Sequence, residues 1–212
     1  STMVGEFPEL QGVMGGYYSS KNGFDEEFKI ALFDQYKPLI QNDNLPRNQL
    51  GCILSLSNNI DTVCSFFSIG LKPTGSRDPF ALRRSGQSMI KILTKINVPI
   101  TFRKIVHCYP RKKIKLTEET KENLYDFFTE RFRMNMLEEK FSLDIINSVL
   151  KKNIVAEKSP YLISQIIKHL EIASRTIKGK SFINNHKRIC NIIKDIDVSS
   201  LPETIEISLF DT

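Results

Sequence analysis

The sequence predicts an all-α protein. Apolar residues recur every three to four positions through most of the chain, several segments open with capping residues, and no alternation of apolar and polar residues lasts long enough to demand a sheet. Phe24, Phe28, Ala31, Leu32 and Leu39 share a helical spacing over 24–41, with Pro38 expected to perturb the helix near its end. Residues 48–70 form a long apolar-rich stretch and predict a central buried helix. Asp78-Pro79 gives a start signal, because Asp caps free amides and Pro fits the first helical position; the helix it opens is expected to run to about Asn97.

Residues 100–116 break the pattern. They hold six basic residues and no acid, and read as a connector between helical layers. Thr117 then caps a helix with Glu118, Glu119 and Glu122 near its positive end, where carboxylates are favoured. Its stripe of Leu124, Phe127, Phe128, Phe132 and Met136 is expected in the core. Ser142 and Asp144 open a short helix. Ser159-Pro160 opens a longer one carrying Tyr161, Ile163, Ile166, Ile167 and Leu170. Gly179 is expected to separate it from a last basic helix over about 181–195, and the tail after Asp197 reads as a linker.

Composition bounds the class. With 41% hydrophobic and 25% charged residues, 212 residues make a globular chain of one or two domains. No apolar run approaches the roughly 18 residues that cross a bilayer, and the opening residues lack a basic start followed by an apolar stretch. A soluble, cytoplasmic protein with no membrane partner is the expectation. The net charge of +6 is uneven: residues 1–99 carry 10 Lys and Arg against 9 Asp and Glu, whereas residues 100–212 carry 20 against 15. Such a surplus suits a polyanionic partner, and equally a basic surface with none. Cys52, Cys64, Cys108 and Cys190 have no CxxC spacing and sit in stretches suited to buried thiols. His107, His169 and His186 read as surface or core residues. P-loop, GxGxxG and GxSxG motifs are absent, so no complete catalytic set is visible.

Two segments are distinctive together: MVGEFPELQGVMGGYY at 3–18 and GLKPTGSRDPFALRR at 70–84, with LSLSNNIDTVCSFFSIGL at 54–71 between them. In this order they closely resemble the beta subunit of the bacterial-type, two-subunit glycyl-tRNA synthetase. LYDFFTERFR at 124–133 and NNHKRICNIIKDID at 184–197 are similar to later family segments. The resemblance covers nearly the whole chain, and PTGSRDPFALRR is its most specific piece.

The resemblance implies a degenerate HD-like helical domain followed by a second helical bundle. The corresponding expectation is residues 1–98 as the later part of the HD-like domain, 99–116 as a basic connector and 117–212 as a helical domain preceding the anticodon-binding region. The chain then reads as an internal piece of a longer subunit. In the family, a separate alpha subunit activates glycine with ATP, and the beta subunit binds glycine tRNA. The expected partners are therefore that alpha subunit and glycine tRNA. No catalytic residue, metal or cofactor is expected in this chain itself, although the intact assembly is a ligase. Asp61 stands at the last acidic position of the HD pattern. Family members often read ADKLDT there, whereas this chain has Ser57, Asn58, Asn59, Ile60 and Asp61, so the lysine is missing. With no ligand companions, Asp61 is expected to cap or hydrogen-bond within a helix bundle.

Function is expected at basic positions. Arg77, Arg83 and Arg84 flank a helix start, where free amides and arginine forks can hold phosphate; the competing reading is a turn whose arginines pair with carboxylates. Arg111, Lys112, Lys113 and Lys115 are the densest positive run. Lys178, Lys180, Lys187 and Arg188 cluster around Gly179, within a stretch of eight basic residues and one acid over 158–194. All of these are candidate phosphate contacts, which position RNA without reading its sequence. Two other functions stay open: a metal-dependent HD-type phosphohydrolase, and a purely structural linker.

Overall fold

The computed structural model describes residues 2–40, 43–109, 116–150 and 154–193. Among them the ordered elements are helices, and one isolated bridge, Thr74 to Arg77, closes a turn. The helices are α1 (Thr2–Glu6), α2 (Val13–Lys21), α3 (Glu26–Asp34), α4 (Gln49–Ser68), α5 (Leu82–Lys95), α6 (Phe102–Cys108), α7 (Glu118–Glu138), α8 (Leu143–Val149), α9 (Ile154–Glu157), α10 (Pro160–Arg175) and α11 (Ile177–Ile193), with a short 3₁₀ turn at Pro8–Leu10. None is long and apolar enough to cross a membrane. The fold is all-α, as predicted.

Side-chain caps set most starts. Asp25, Asn48, Thr101, Thr117 and Ser142 each accept a hydrogen bond from an amide in the first turn of α3, α4, α6, α7 and α8. Ser159 does the same for Leu162, with Pro160 opening α10. Three sequence expectations are corrected. The helix over 24–41 stops at Asp34, earlier than expected, because Pro38 lacks an amide and disfavours helical backbone at Lys37. The 100–116 segment contains α6, whose Phe102, Ile105 and Val106 are buried at helical spacing between exposed Arg103 and Lys104. Gly179 lies inside α11; the break falls at Thr176, whose hydroxyl accepts the Gly179 amide. A Cβ at Gly179 would overlap the Ala173 carbonyl, so glycine there permits a close return of the chain.

The chain forms two compact units, residues 1–168 and 169–212. In the first, one buried cluster runs from Val63 to Ile167 and draws on α4 to α10, on both sides of the 99–116 segment. Phe102 and Phe128 stack at 4.2 Å between ring centroids, and both are fully buried, as are Leu124, Phe132 and Met136. Burying one such side chain contributes about 1.5–3 kcal/mol. In the second unit, described here through residue 193, α11 is exposed along nearly all of its length and presents Ile177, Phe182, Ile189 and Ile192 to solvent.

Asp34 ties α3 to the segment before α4. It is 1% exposed and accepts from Arg47 through the backbone N–H (2.9 Å) and Nε (2.7 Å), with Lys37 Nζ at 3.0 Å. Burial pushes the carboxyl upward; the hydrogen bonds from Arg47 and the charge of Lys37 outweigh it and hold the pKa at about 2, below its ordinary 3.8. A depressed carboxyl stabilises the fold fully above its ordinary pKa and loses that contribution as pH falls through the folded value. Urea unfolding between pH 5 and pH 2 is therefore expected to show a loss of about 2 kcal/mol from this group, concentrated between about pH 4 and pH 2. Asp34→Asn removes that part of the pH dependence. Phe128→Ala is expected to cost about 3–5 kcal/mol in the same assay.

Candidate nucleic-acid interface

The turn between α4 and α5 organises the first group of candidate residues. Gly70 (φ +77°) ends α4, and Gly75 (φ +50°) sits within the bridge of Thr74 and Arg77. Phe80 closes the turn by stacking on Phe66 at 4.3 Å between centroids. Ala81 adopts φ +53° and ψ +33°, a left-handed conformation that costs a side-chain-bearing residue roughly 1–2 kcal/mol. Asp78 holds it there: its carboxylate accepts the amides of Leu82 (2.8 Å) and Arg83 (2.9 Å). Asp78 thus caps α5 as expected, but Pro79 lies outside the helix, which begins at Leu82 and ends at Lys95. Asp78 also occupies two of the amides that the sequence reading offered to an anion.

The three arginines of this motif separate. Arg77 is exposed. Arg83 is half-buried and donates from Nη2 to the Gly75 carbonyl at 2.6 Å, so its fork is held by a backbone oxygen and forms no ion pair with a described carboxylate. Arg84 is exposed and lines a different cavity of about 280 Å³ with Pro38, Leu39, Gln87 and Lys91. Arg83 instead faces a cavity of about 210 Å³ with Lys72, Arg131, Glu130, Phe67 and Phe127. Lys72 and Arg131 fall within the distinctive segments 70–84 and 124–133 but were not among the predicted basic contacts; Arg131 sits within the α7 segment read as a core stripe. The mark that points to it is a long cation three and four positions after Phe128 and Phe127.

Arg111, Lys112, Lys113 and Lys115 lie outside the described residues. Lys178, Lys180, Lys187 and Arg188 are all exposed on α11, in the second unit. None of the four forms an ion pair with a described carboxylate, nor do Arg77 and Arg84. Lys29, Lys37, Arg47, Lys95, Arg103, Lys121, Arg133 and Arg175 do. The candidate cations are thus among those whose charge the described fold leaves unspent.

Asp61 lies in the middle of α4 and hydrogen-bonds without capping. It accepts the Tyr109 hydroxyl at 2.8 Å, which leaves Ser65 Oγ as donor to that same hydroxyl at 2.8 Å. Burial pushes the Tyr109 phenol up; Ser65 opposes this and Asp61 adds to it. Among the described residues no three His, Cys, Asp or Glu side chains come together as metal ligands, so the residues around Asp61 do not fit the metal of an HD hydrolase. The thiols divide: Cys52 and Cys64 are buried, with Cys64 pushed up to about 12 by burial and the nearby Asp61 charge, whereas Cys108 and Cys190 are exposed, against the sequence reading. The exposed pair lie on helix faces that Phe102, Ile105 and Val106 leave outward in α6, and on the solvent-facing α11.

Comparison with known proteins decides the family. Residues 1–151 match the family described as glycyl-tRNA synthetase beta subunit. The chain belongs to that family. Three glycine–tRNA ligase beta subunits illustrate the relation. That of Shouchella clausii is 43% identical over 159 residues, covering 72% of this chain and 23% of the relative. That of Leptothrix cholodnii is 40% identical, covering 70% and 21%. That of Nitrosomonas eutropha is 32% identical, covering 98% of this chain and 32% of its own length. The chain thus spans between about a fifth and a third of these relatives. As a glycyl-tRNA synthetase beta subunit sequence, it has the α4–α5 turn, Asp61 and Arg131 inside the matched region, and α10 and α11 outside it.

Asp78→Ala is expected to cost about 1–2 kcal/mol in denaturant unfolding, because two amides lose their acceptor while Ala81 keeps its left-handed backbone. Asp78→Asn is expected to recover part of that loss.

Proposed function

We propose that this chain is a non-catalytic, tRNA-docking and scaffolding part of the glycyl-tRNA synthetase beta subunit. It supports ATP-dependent attachment of glycine to its tRNA, with ATP and glycine handled by the separate alpha subunit. Its partners are that alpha subunit and glycine tRNA.

The observation that carries this reading is the contrast between spent and unspent cations. Arg77, Arg84, Lys178, Lys180, Lys187 and Arg188 project into solvent without described carboxylate partners. Exposed cations of this kind suit a phosphate backbone, where each contact releases counterions and contributes affinity without reading bases. The Tyr109 hydrogen bond to Asp61 and the absence of converging ligands among the described residues favour this over a phosphohydrolase. A solely structural linker would leave the same cations without a task.

Filter binding with glycine tRNA at several salt concentrations tests the reading. The expected result is binding at low salt that weakens linearly in log Kd against log salt. The Lys187→Glu, Arg188→Glu double variant is expected to weaken it at least tenfold at low salt, with an unchanged circular dichroism spectrum. No binding by the unaltered chain at low salt would contradict the proposal.

A further inference from the structure

The cavity beside the α4–α5 turn is lined by Arg131, a half-buried cation. Arg131 Nε has no hydrogen-bond partner and is shielded from solvent. Burial weighs most against the protonated guanidinium and the charge of Arg83 adds to it, whereas the charges of Glu130, Asp78 and Glu138 favour it; the arginine stays charged. Lys72 and Arg83 line the same cavity. Glu130 lines the same cavity and is shared with Arg133, whose Nε lies 3.4 Å from its carboxylate. Asp78 is committed to the α5 amides. Glu138 adds a smaller favourable charge to Arg131. Lys72 Nζ donates to Asn123 Oδ1 at 3.2 Å, a neutral acceptor.

The site is built rather than incidental. Gly86 is buried on α5, and a Cβ there would lie 2.6 Å from Phe127 Cε1 and 3.1 Å from Arg131 Cγ. The missing side chain lets α7 press against α5 and brings Arg131 in beside Arg83. The Gly75 carbonyl orients the Arg83 fork from the other side. Phe67 and Phe127 supply apolar walls, which strengthen the field of the cations. The cavity measures about 210 Å³, room for one tetrahedral anion.

We propose that Arg131, Arg83 and Lys72 form a seat for a single phosphate group of the RNA backbone, toward which the Arg131 side chain turns its unpartnered Nε on binding. This rests on the tRNA-docking reading and adds to it a defined, partly buried contact, distinct from the exposed lysines of α11. A guanidinium fork matches a phosphate with two parallel donors, which a lysine replacement does not reproduce.

The test uses the chain labelled with ¹⁵N-arginine, with the Arg131 Nε–Hε resonance assigned by its loss in Arg131→Lys. Inorganic phosphate, acetate and glycine tRNA are titrated separately. The resonance is expected to shift saturably with phosphate, far less with acetate, and again with tRNA; Arg83→Gln abolishes the phosphate shift. In filter binding, Arg131→Gln is expected to reduce the slope of log Kd against log salt by about 0.7–0.9, whereas Arg131→Lys, which keeps the charge, weakens binding while retaining most of the slope. A resonance unmoved by tRNA that nevertheless binds would overturn the seat and leave the docking reading in place. A shift with acetate as large as with phosphate, and none with tRNA, would overturn it in favour of a carboxylate from a protein partner. A chain that binds no tRNA at low salt removes both.

Discussion

The contact between α5 and α7 admits no side chain at Gly86. The space that a methyl group would take is filled by the Phe127 ring and the Arg131 stem. Much of the first unit is arranged around that approach. Phe127 reaches Phe67 on α4 and stands beside Phe128, which stacks in turn on Phe102 of α6. One close backbone approach therefore links four helices through a run of aromatic rings. It also sets a cation in the wall of a cavity, because the residue after the aromatic pair on the same face of α7 is an arginine.

Charge in this fold is allotted unevenly. Some cations work inside the structure: Arg47 and Lys37 hold Asp34, Lys95 reaches Glu139, and Arg103 meets Glu157. These are contacts between elements, or between an element and a loop. The exposed pairs among them are worth little individually, but each removes a cation from the set available to a partner. The cations left without a described carboxylate include those of the α4–α5 turn and those along α11. A polyanion is the partner whose chemistry matches such a remainder, and membership in a tRNA synthetase family fits that chemistry.

Most helix starts were legible in the sequence because caps act locally. Thr117, Ser142 and Ser159 need only the next three residues to do their work, and each does so in the structure. The core stripe of α7 was legible for the same reason, since its period is a property of one helix. What depended on tertiary contact was not. α6 was missed because basic residues are interleaved with its buried Phe102, Ile105 and Val106. Gly179 was read as a break, although its role is to let the chain pass close to Ala173. In the candidate site, Arg83 was visible from its motif. Arg131 was not, because its meaning comes from Gly86, some 45 positions earlier. The hydrogen-bonding role of Asp61 was foreseeable from its lack of ligand companions; its partner, Tyr109, was not.

The most direct measurement is a structure of the full-length subunit, in its assembly with the alpha subunit, bound to glycine tRNA. This account predicts an RNA phosphate oxygen within hydrogen-bond distance of Arg131 Nε, flanked by Arg83 and Lys72. RNA running elsewhere, with that cavity holding only solvent or a carboxylate from a neighbouring subunit, would contradict it.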